Sequence, residues 1–139
     1  MKRRFKQVDV FTAVAYRGNP VAVVLDAQGL ATEDMQRIAQ WTNLSESTFV
    51  LPPTQPGADY RVRIFTPGAE LPFAGHPTIG TAHAVIEAGI VARGKTALVQ
   101  ECAAGCLPPA VERIAGEQHI FVQVPPPTLR HLPVEHHQT

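Results

Sequence analysis

Residues 5–12 place Phe5, Val8, Val10 and Phe11 among polar neighbours and predict a strand. Tyr16-Arg17-Gly18-Asn19-Pro20 then reads as a turn, because Gly, Asn and Pro each favour turn geometry. Residues 21–25, Val-Ala-Val-Val-Leu, form a continuous apolar run and predict a short strand buried on both faces. Met35, Ile38, Ala39 and Thr42 recur at helical spacing and predict an amphipathic helix over residues 32–42. Thr32 is the expected N-cap, with Glu33 and Asp34 in the first turn, where the helix dipole favours negative charge. Trp41 and Leu44 extend its apolar side, and Trp41 is expected to pack in the core or at its edge.

Residues 43–51 lead from that helix into a strand, and 52–59 form a loop. Residues 60–65 alternate: Tyr60, Val62 and Ile64 share one face, and Arg61, Arg63 and Phe65 the other. Residues 77–88 carry few charges, with Ile79, Ala82, His83 and Ile86 along one stripe and Gly80, Ala84 and Ala88 keeping the remaining face small. A helix apolar nearly all round is a buried one. Gly89 is its expected terminator, and His83 reads as a core histidine. Residues 96–101, 110–114 and 119–124 look like a β-meander that Pro125-Pro126-Pro127 stops. This pattern predicts an α+β fold, a curved, mostly antiparallel sheet wrapped round a central helix. One domain spans 1–127, and 128–139 is a linker-like tail.

Composition adds limits. A chain of 139 residues can bury a real core as one domain. Twelve basic residues balance twelve acidic ones, and the only basic run, Lys2-Arg3-Arg4, is short and terminal, so no nucleic-acid partner is expected. No apolar stretch approaches the roughly 18 residues of a membrane span, and no signal peptide is recognised, so a cytoplasmic chain is expected. Cys102 and Cys106 do not match a zinc pattern; they flank a three-residue loop, could face each other across two strands, and are expected to be reduced. His131, His136 and His137 lie in a tail that does not preorganise ligands, so no metal site is expected.

The candidate chemistry centres on residues 65–80, which run from a strand through a Pro/Gly-rich loop into the buried helix. Pro77 suits a first helical turn, and the N–H groups after it are expected to form an anion cradle. Gly75 lets a ligand approach the backbone, and His76 beside it can titrate near neutral pH. Ser45, Gly75, His76, Pro77 and Thr78 are therefore the substrate-binding candidates. Glu46, between Ser45 and Ser47 at a helix-to-strand junction, is the candidate acid/base, a carboxylate that can be aimed into a cleft; read locally, it is equally an exposed strand-start glutamate.

Asp9-Val10-Phe11-Thr12, Gly18-Asn19-Pro20, Ser45-Glu46-Ser47-Thr48-Phe49, Arg63-Ile64-Phe65-Thr66-Pro67 and Glu70 through Gly80 occur in an order and spacing that resemble the N-terminal half of the PhzF-like, phenazine-biosynthesis family, over about residues 5–127. The resemblance implies a fold related to diaminopimelate epimerase, with two similar α+β domains and an active site in the cleft between them. It implies no metal or organic cofactor, and a proton-transfer isomerisation of a small cyclic amino acid, a dihydro-3-hydroxyanthranilate. The family's catalytic glutamate falls on Glu46 and its substrate-contacting pair on Gly75 and His76. Members usually run to about twice this length, and their second domain supplies an acidic partner and a second anion loop. A homodimer or a separately encoded second half is thus the expected partner, beside a small carboxylate substrate. The alternative is a truncated, non-catalytic domain that pairs or binds a small carboxylate.

Overall fold

The computed structural model describes residues 2–10, 18–92, 94–107, 110–114 and 117–121. Five strands and two helices build the body: β1 (Phe5–Val10), β2 (Asn19–Val24), α1 (Thr32–Thr42), β3 (Glu46–Leu51), β4 (Tyr60–Phe65), the short β5 (Glu70–Leu71) and α2 (Gly75–Glu87). A hairpin, β6 (Gln100–Cys102) and β7 (Gly105–Leu107), completes the sheet, in order β1-β2-β3-β4-β6-β7 with β5 on β4. β8 (Ala110–Ile114) and β9 (Glu117–Phe121) form a separate two-stranded ladder rather than a continuation of a meander. The fold is α+β, as the pattern predicted. The sheet is mixed: β2 runs parallel to β3 and β4 to β6, and the other ladders are antiparallel.

The two parallel pairs are β-α-β crossovers. α1 links β2 to β3, and α2 links β4 to β6. Both crossovers step across the sheet in the same sense, but β4 is antiparallel to β3, so the strand direction has reversed between them. A constant crossover hand, which twisted sheets favour, then requires the two helices to lie on opposite faces. They do. α2 packs with Val10, Val21, Val23, Val50, Val62 and Ile64 in one apolar cluster. α1 packs through Met35 and Ala39 against Val24, Phe49 and Phe65 in another. Residues 21–25, lying between the two layers, are buried throughout.

α1 occupies the predicted residues, but its N-cap is Ala31, in extended backbone at φ −76° and ψ 160°. Thr32 is already helical, and its hydroxyl accepts from Arg63 instead. Asp34 turns back to accept the Ala31 N–H at 3.4 Å. Trp41 is 83% exposed, against the expectation of core packing. It lies six residues past Met35, about 240° round the helix, well away from the stripe that faces the sheet.

α2 begins at Gly75, two residues before the predicted start, and Gly89 ends it with φ +79°. Only Glu87 within it is exposed. The predicted stripe is displaced: Ile79 and His83 are half-buried, while Thr78, Thr81, Ala82 and Val85 are fully buried. Gly80 faces β1 and β2 so closely that a Cβ there would stand 2.3 Å from Val21 Cγ1 and 3.0 Å from Val10 Cγ2. Thr81 faces β3 through Thr48, and Thr78 faces β6 through Gln100. The sheet therefore curls round α2 through a large part of its circumference.

The β6–β7 loop is two residues, Ala103-Ala104, not three, because Cys102 pairs with Gly105 and Glu101 with Cys106. Neighbouring register positions point to opposite faces. The two cysteines consequently do not face each other: both thiols are free, Cys102 buried and Cys106 exposed. Residues 11–17, the tail and its histidines 131, 136 and 137 lie outside the described residues, while Asn19 and Pro20 of the expected 16–20 turn open β2. Among the described residues, no helix is long and apolar enough to cross a membrane, and no cluster of His, Cys, Asp or Glu has the makings of a metal site.

Candidate active site

Three chain segments meet at the first turn of α2. β3 opens with Glu46, β2 opens with Asn19, and α2 carries His76 as its second residue. Alternation along β3 puts Glu46, Thr48 and Val50 on the α2 face, and Ser47 and Phe49 on the α1 face. Glu46 Oε1 lies 2.7 Å from His76 Nδ1, and the Asn19 carbonyl oxygen lies 2.7 Å from His76 Nε2. Asn19 precedes the first β2–β3 register pair, Val21–Glu46, so it lies beyond the end of that ladder. His76 is 4% exposed, whereas the Glu46 side chain keeps 18% of its surface open.

This geometry fixes a proton inventory. A carbonyl only accepts, so His76 Nε2 carries a hydrogen. A neutral imidazole protonated there presents a bare lone pair at Nδ1, and a carboxylate oxygen cannot face that lone pair at 2.7 Å without repulsion. One further proton must therefore lie between Nδ1 and Oε1, as imidazolium–carboxylate or as imidazole–carboxylic acid. Burial works against the charged imidazole, but the Glu46 carboxylate and the Asn19 carbonyl outweigh it, so the His76 pKa is held above its ordinary value. The pair sits at the N-terminal turn of α2, where the helix dipole favours negative charge on Glu46.

The other candidates fall into two groups. Ser45 is exposed and donates from Oγ to Asn19 Oδ1 at 3.4 Å, which places it on the same rim as Glu46. Gly75 is half-buried at the first helical position, where a backbone N–H has no intrahelical acceptor. Pro77 and Thr78 are buried. The Thr78 N–H already reaches Ala74 O at 3.3 Å, and its hydroxyl donates to the same carbonyl at 2.8 Å. Thr78 thus braces the helix start from beneath. Ser47, which flanks Glu46, turns to the α1 side, with its Oγ 2.8 Å from Thr42 Oγ1.

Sequence reasoning missed one participant, the Asn19 main-chain carbonyl. Its signal was the Gly18-Asn19-Pro20 motif: the residue before proline is held extended, which fixes the direction of that carbonyl.

The family model described as phenazine biosynthesis-like protein matches residues 8–139. The trans-2,3-dihydro-3-hydroxyanthranilate isomerase of Pseudomonas aeruginosa is 47% identical over 129 residues, 92% of this chain and 45% of that protein. Antisense-enhancing sequence 1 of Schizosaccharomyces pombe is 58% identical over 101 residues, 73% of this chain and 34% of that protein. Among solved structures, the Bacillus anthracis phenazine biosynthesis protein of the PhzF family superposes with a TM-score of 0.77 at 42% identity, covering 86% of this chain and 40% of that one. A probable proline racemase from Agrobacterium radiobacter shares the fold, with a TM-score of 0.59 at 18% identity. The chain thus spans less than half the length of these relatives. With the family model covering most of its residues and a shared fold beneath them, the chain belongs to the phenazine biosynthesis-like, PhzF-type isomerase family.

Proposed function

We propose that this chain provides the acid/base half of an isomerase that moves a proton within a small, amino-acid-like carboxylate. The observation that carries the reading is the 2.7 Å contact between Glu46 and His76, with Asn19 fixing the outer nitrogen of the ring. Glu46, the more open member, exchanges the shared proton with a substrate carbon, and His76 holds or returns it from behind. Composition is unchanged: one C–H bond breaks, another forms, and the double bonds between them shift. Gly75 and Ser45 line the rim on which a substrate carboxylate rests, with the first turn of α2 directed toward its charge. A dihydro-3-hydroxyanthranilate, the compound named for the Pseudomonas relative, is the first candidate substrate.

The open side of Glu46 needs a facing wall to exclude water. A second half of similar build supplies it: a further domain, a second copy of this chain or a separately encoded partner. In a self-pair the site carries Glu46 twice, and one carboxylate serves as the acid while the other serves as the base. A second reading is a domain that pairs or binds a small carboxylate without turning it over.

Solvent-deuterium incorporation into the candidate substrate tests the reading. Label is expected with the native sequence, and Glu46→Gln is expected to lose at least about 100-fold in rate, the scale of general acid–base catalysis. Absence of label from an assembled dimer would leave the binding reading in its place. Light scattering tests the self-pair: a mass twice the chain's 15.1 kDa supports it, and the single mass overturns it.

A further inference from the structure

The contact between Glu46 and His76 joins a strand to a helix that shares no hydrogen-bonded ladder with it. Something must fix how far α2 slides and turns against β3. The interface is otherwise apolar, with Val10, Val21, Val50, Ala82, Ala84 and Val85 offering no directional contact. Within it, Thr48 Oγ1 and Thr81 Oγ1 meet at 2.8 Å, both with no exposed surface.

The spacing of this pair matches that of the site. Thr48 follows Glu46 by two strand residues, about 6.7 Å, on the same face of β3. Thr81 follows His76 by five helical residues, about 7.5 Å along the axis. The two contacts thus tie one strand to one helix at two levels, with Thr81 standing about 140° round α2 from His76. A second tie lies about 60° further round α2. The Tyr60 hydroxyl donates to Gln100 Oε1 at 3.2 Å, Gln100 Nε2 donates to Thr78 Oγ1 at 3.2 Å, and Thr78 donates to Ala74 O, the carbonyl that caps the turn bearing Gly75 and His76.

We propose that Thr48 and Thr81 are positioning residues, whose buried hydroxyl contact sets the rotation and depth of α2 and so holds His76 within hydrogen-bond reach of Glu46, with the Gln100–Thr78 tie fixing the first turn from the far side. This deepens the acid/base reading above, and its test needs no substrate. Valine has the shape of threonine without the hydroxyl, and replacing both partners of a buried hydrogen bond by apolar groups of the same shape is close to neutral for stability.

The experiment follows the His76 ring by NMR through a pH titration. In Thr48→Val/Thr81→Val the thermal midpoint stays near that of the native sequence, while the His76 midpoint falls by about half a unit or more toward the free-histidine value. Thr48→Ser/Thr81→Ser, which keeps both hydroxyls, restores the native titration. If the double valine variant does not fold, Thr48→Ser and Thr48→Ala are compared, since they differ only by the hydroxyl; the alanine alone is expected to lower the midpoint. An unchanged His76 midpoint in a folded variant lacking the hydroxyls overturns the proposal. A shifted midpoint in a protein that incorporates no deuterium leaves the positioning intact and removes the catalytic reading instead.

Discussion

The two helices meet opposite faces of one sheet by different means. α1 lays a narrow apolar stripe, Met35 and Ala39, on an aromatic floor where Phe49 and Phe65 stand edge to face, with centroids 5.4 Å apart and planes at 88°. Its outer side is polar and carries an exposed tryptophan. α2 is buried almost all round, held by small residues and by hydroxyls bonded across the interface. The aromatic floor supplies apolar area, which is non-directional and stabilises without fixing a rotation. The α2 face trades some of that area for closeness and direction, and the Glu46–His76 pair lies on that side. Stability and site geometry should therefore respond separately to substitution.

The largest effect on stability is expected on the α1 side. Phe49→Ala removes a ring with no exposed surface and its edge-to-face partner, at a cost of about 3–5 kcal/mol. Urea denaturation measures this. Because Phe49 points away from α2, the His76 titration should remain native in whatever fraction stays folded. A shift of that titration would show that the two faces are coupled through β3, and the comparison would fail.

Gly80→Ala sharpens the contrast from the other side. Alanine is the better helix former by about 1 kcal/mol. The new methyl, however, stands 2.3 Å from Val21 Cγ1, and valine side chains are stiff. Overpacking costs about 1–3 kcal/mol, so a net loss of up to about 2 kcal/mol is expected by denaturation, less than for Phe49→Ala. The His76 titration should nonetheless move, because α2 must retreat from β2 to admit the methyl. A stabilised Gly80→Ala with a native titration would show the α2 face to be looser than drawn.

A smaller effect is expected from pH. The His76 pKa is raised in the folded chain: burial opposes the charge, but Glu46 and the Asn19 carbonyl outweigh it. Its stabilising contribution is thus fully present below the unfolded histidine value of about 6.5 and is lost as pH rises through the folded value. Denaturation at pH 6 and pH 9 should show the native sequence losing stability toward alkaline pH, and His76→Gln should remove that slope. Phe49→Leu, on the other face, should keep it.

The same asymmetry decided what the sequence could reveal. α1 and β4 were legible over their full length, because one-sided burial writes a period into the residues, as Met35 and Ala39 or Tyr60, Val62 and Ile64 show. α2 is buried on too many sides to carry a period, so its stripe was misassigned to Ile79 and His83. Its start was placed at Pro77 because proline fits a first helical position and disfavours helical backbone in the residue before it. His76 is helical all the same, with both ring nitrogens bonded to groups from other strands, and such tertiary bonds override local preference. Glu46, Gly75 and His76 stood out as residue types in motifs. The carbonyl of Asn19 and the Thr48–Thr81 contact did not, since a main-chain oxygen has no letter of its own and two threonines far apart in sequence announce no pairing. The β6–β7 hairpin was half-read for a related reason: one residue of loop length decides which face each cysteine takes.

The smallest effect should come from Trp41. A buried tryptophan normally dominates a core, and truncating one costs about 3–5 kcal/mol. At 83% exposure on the outer side of α1, Trp41 has little such contact to lose, and Trp41→Ala should change stability by no more than about 0.5 kcal/mol in either direction. The measurement is made on chain of known oligomeric state, by denaturation at two protein concentrations. A cost above about 1 kcal/mol that is independent of concentration would mean that the stripe of α1 is wider than Met35 and Ala39 make it. A cost that grows with protein concentration would mean that a second copy covers the tryptophan. The α1 face would then be the face that pairs, and the open side of Glu46, on the opposite face, would be left to a different partner.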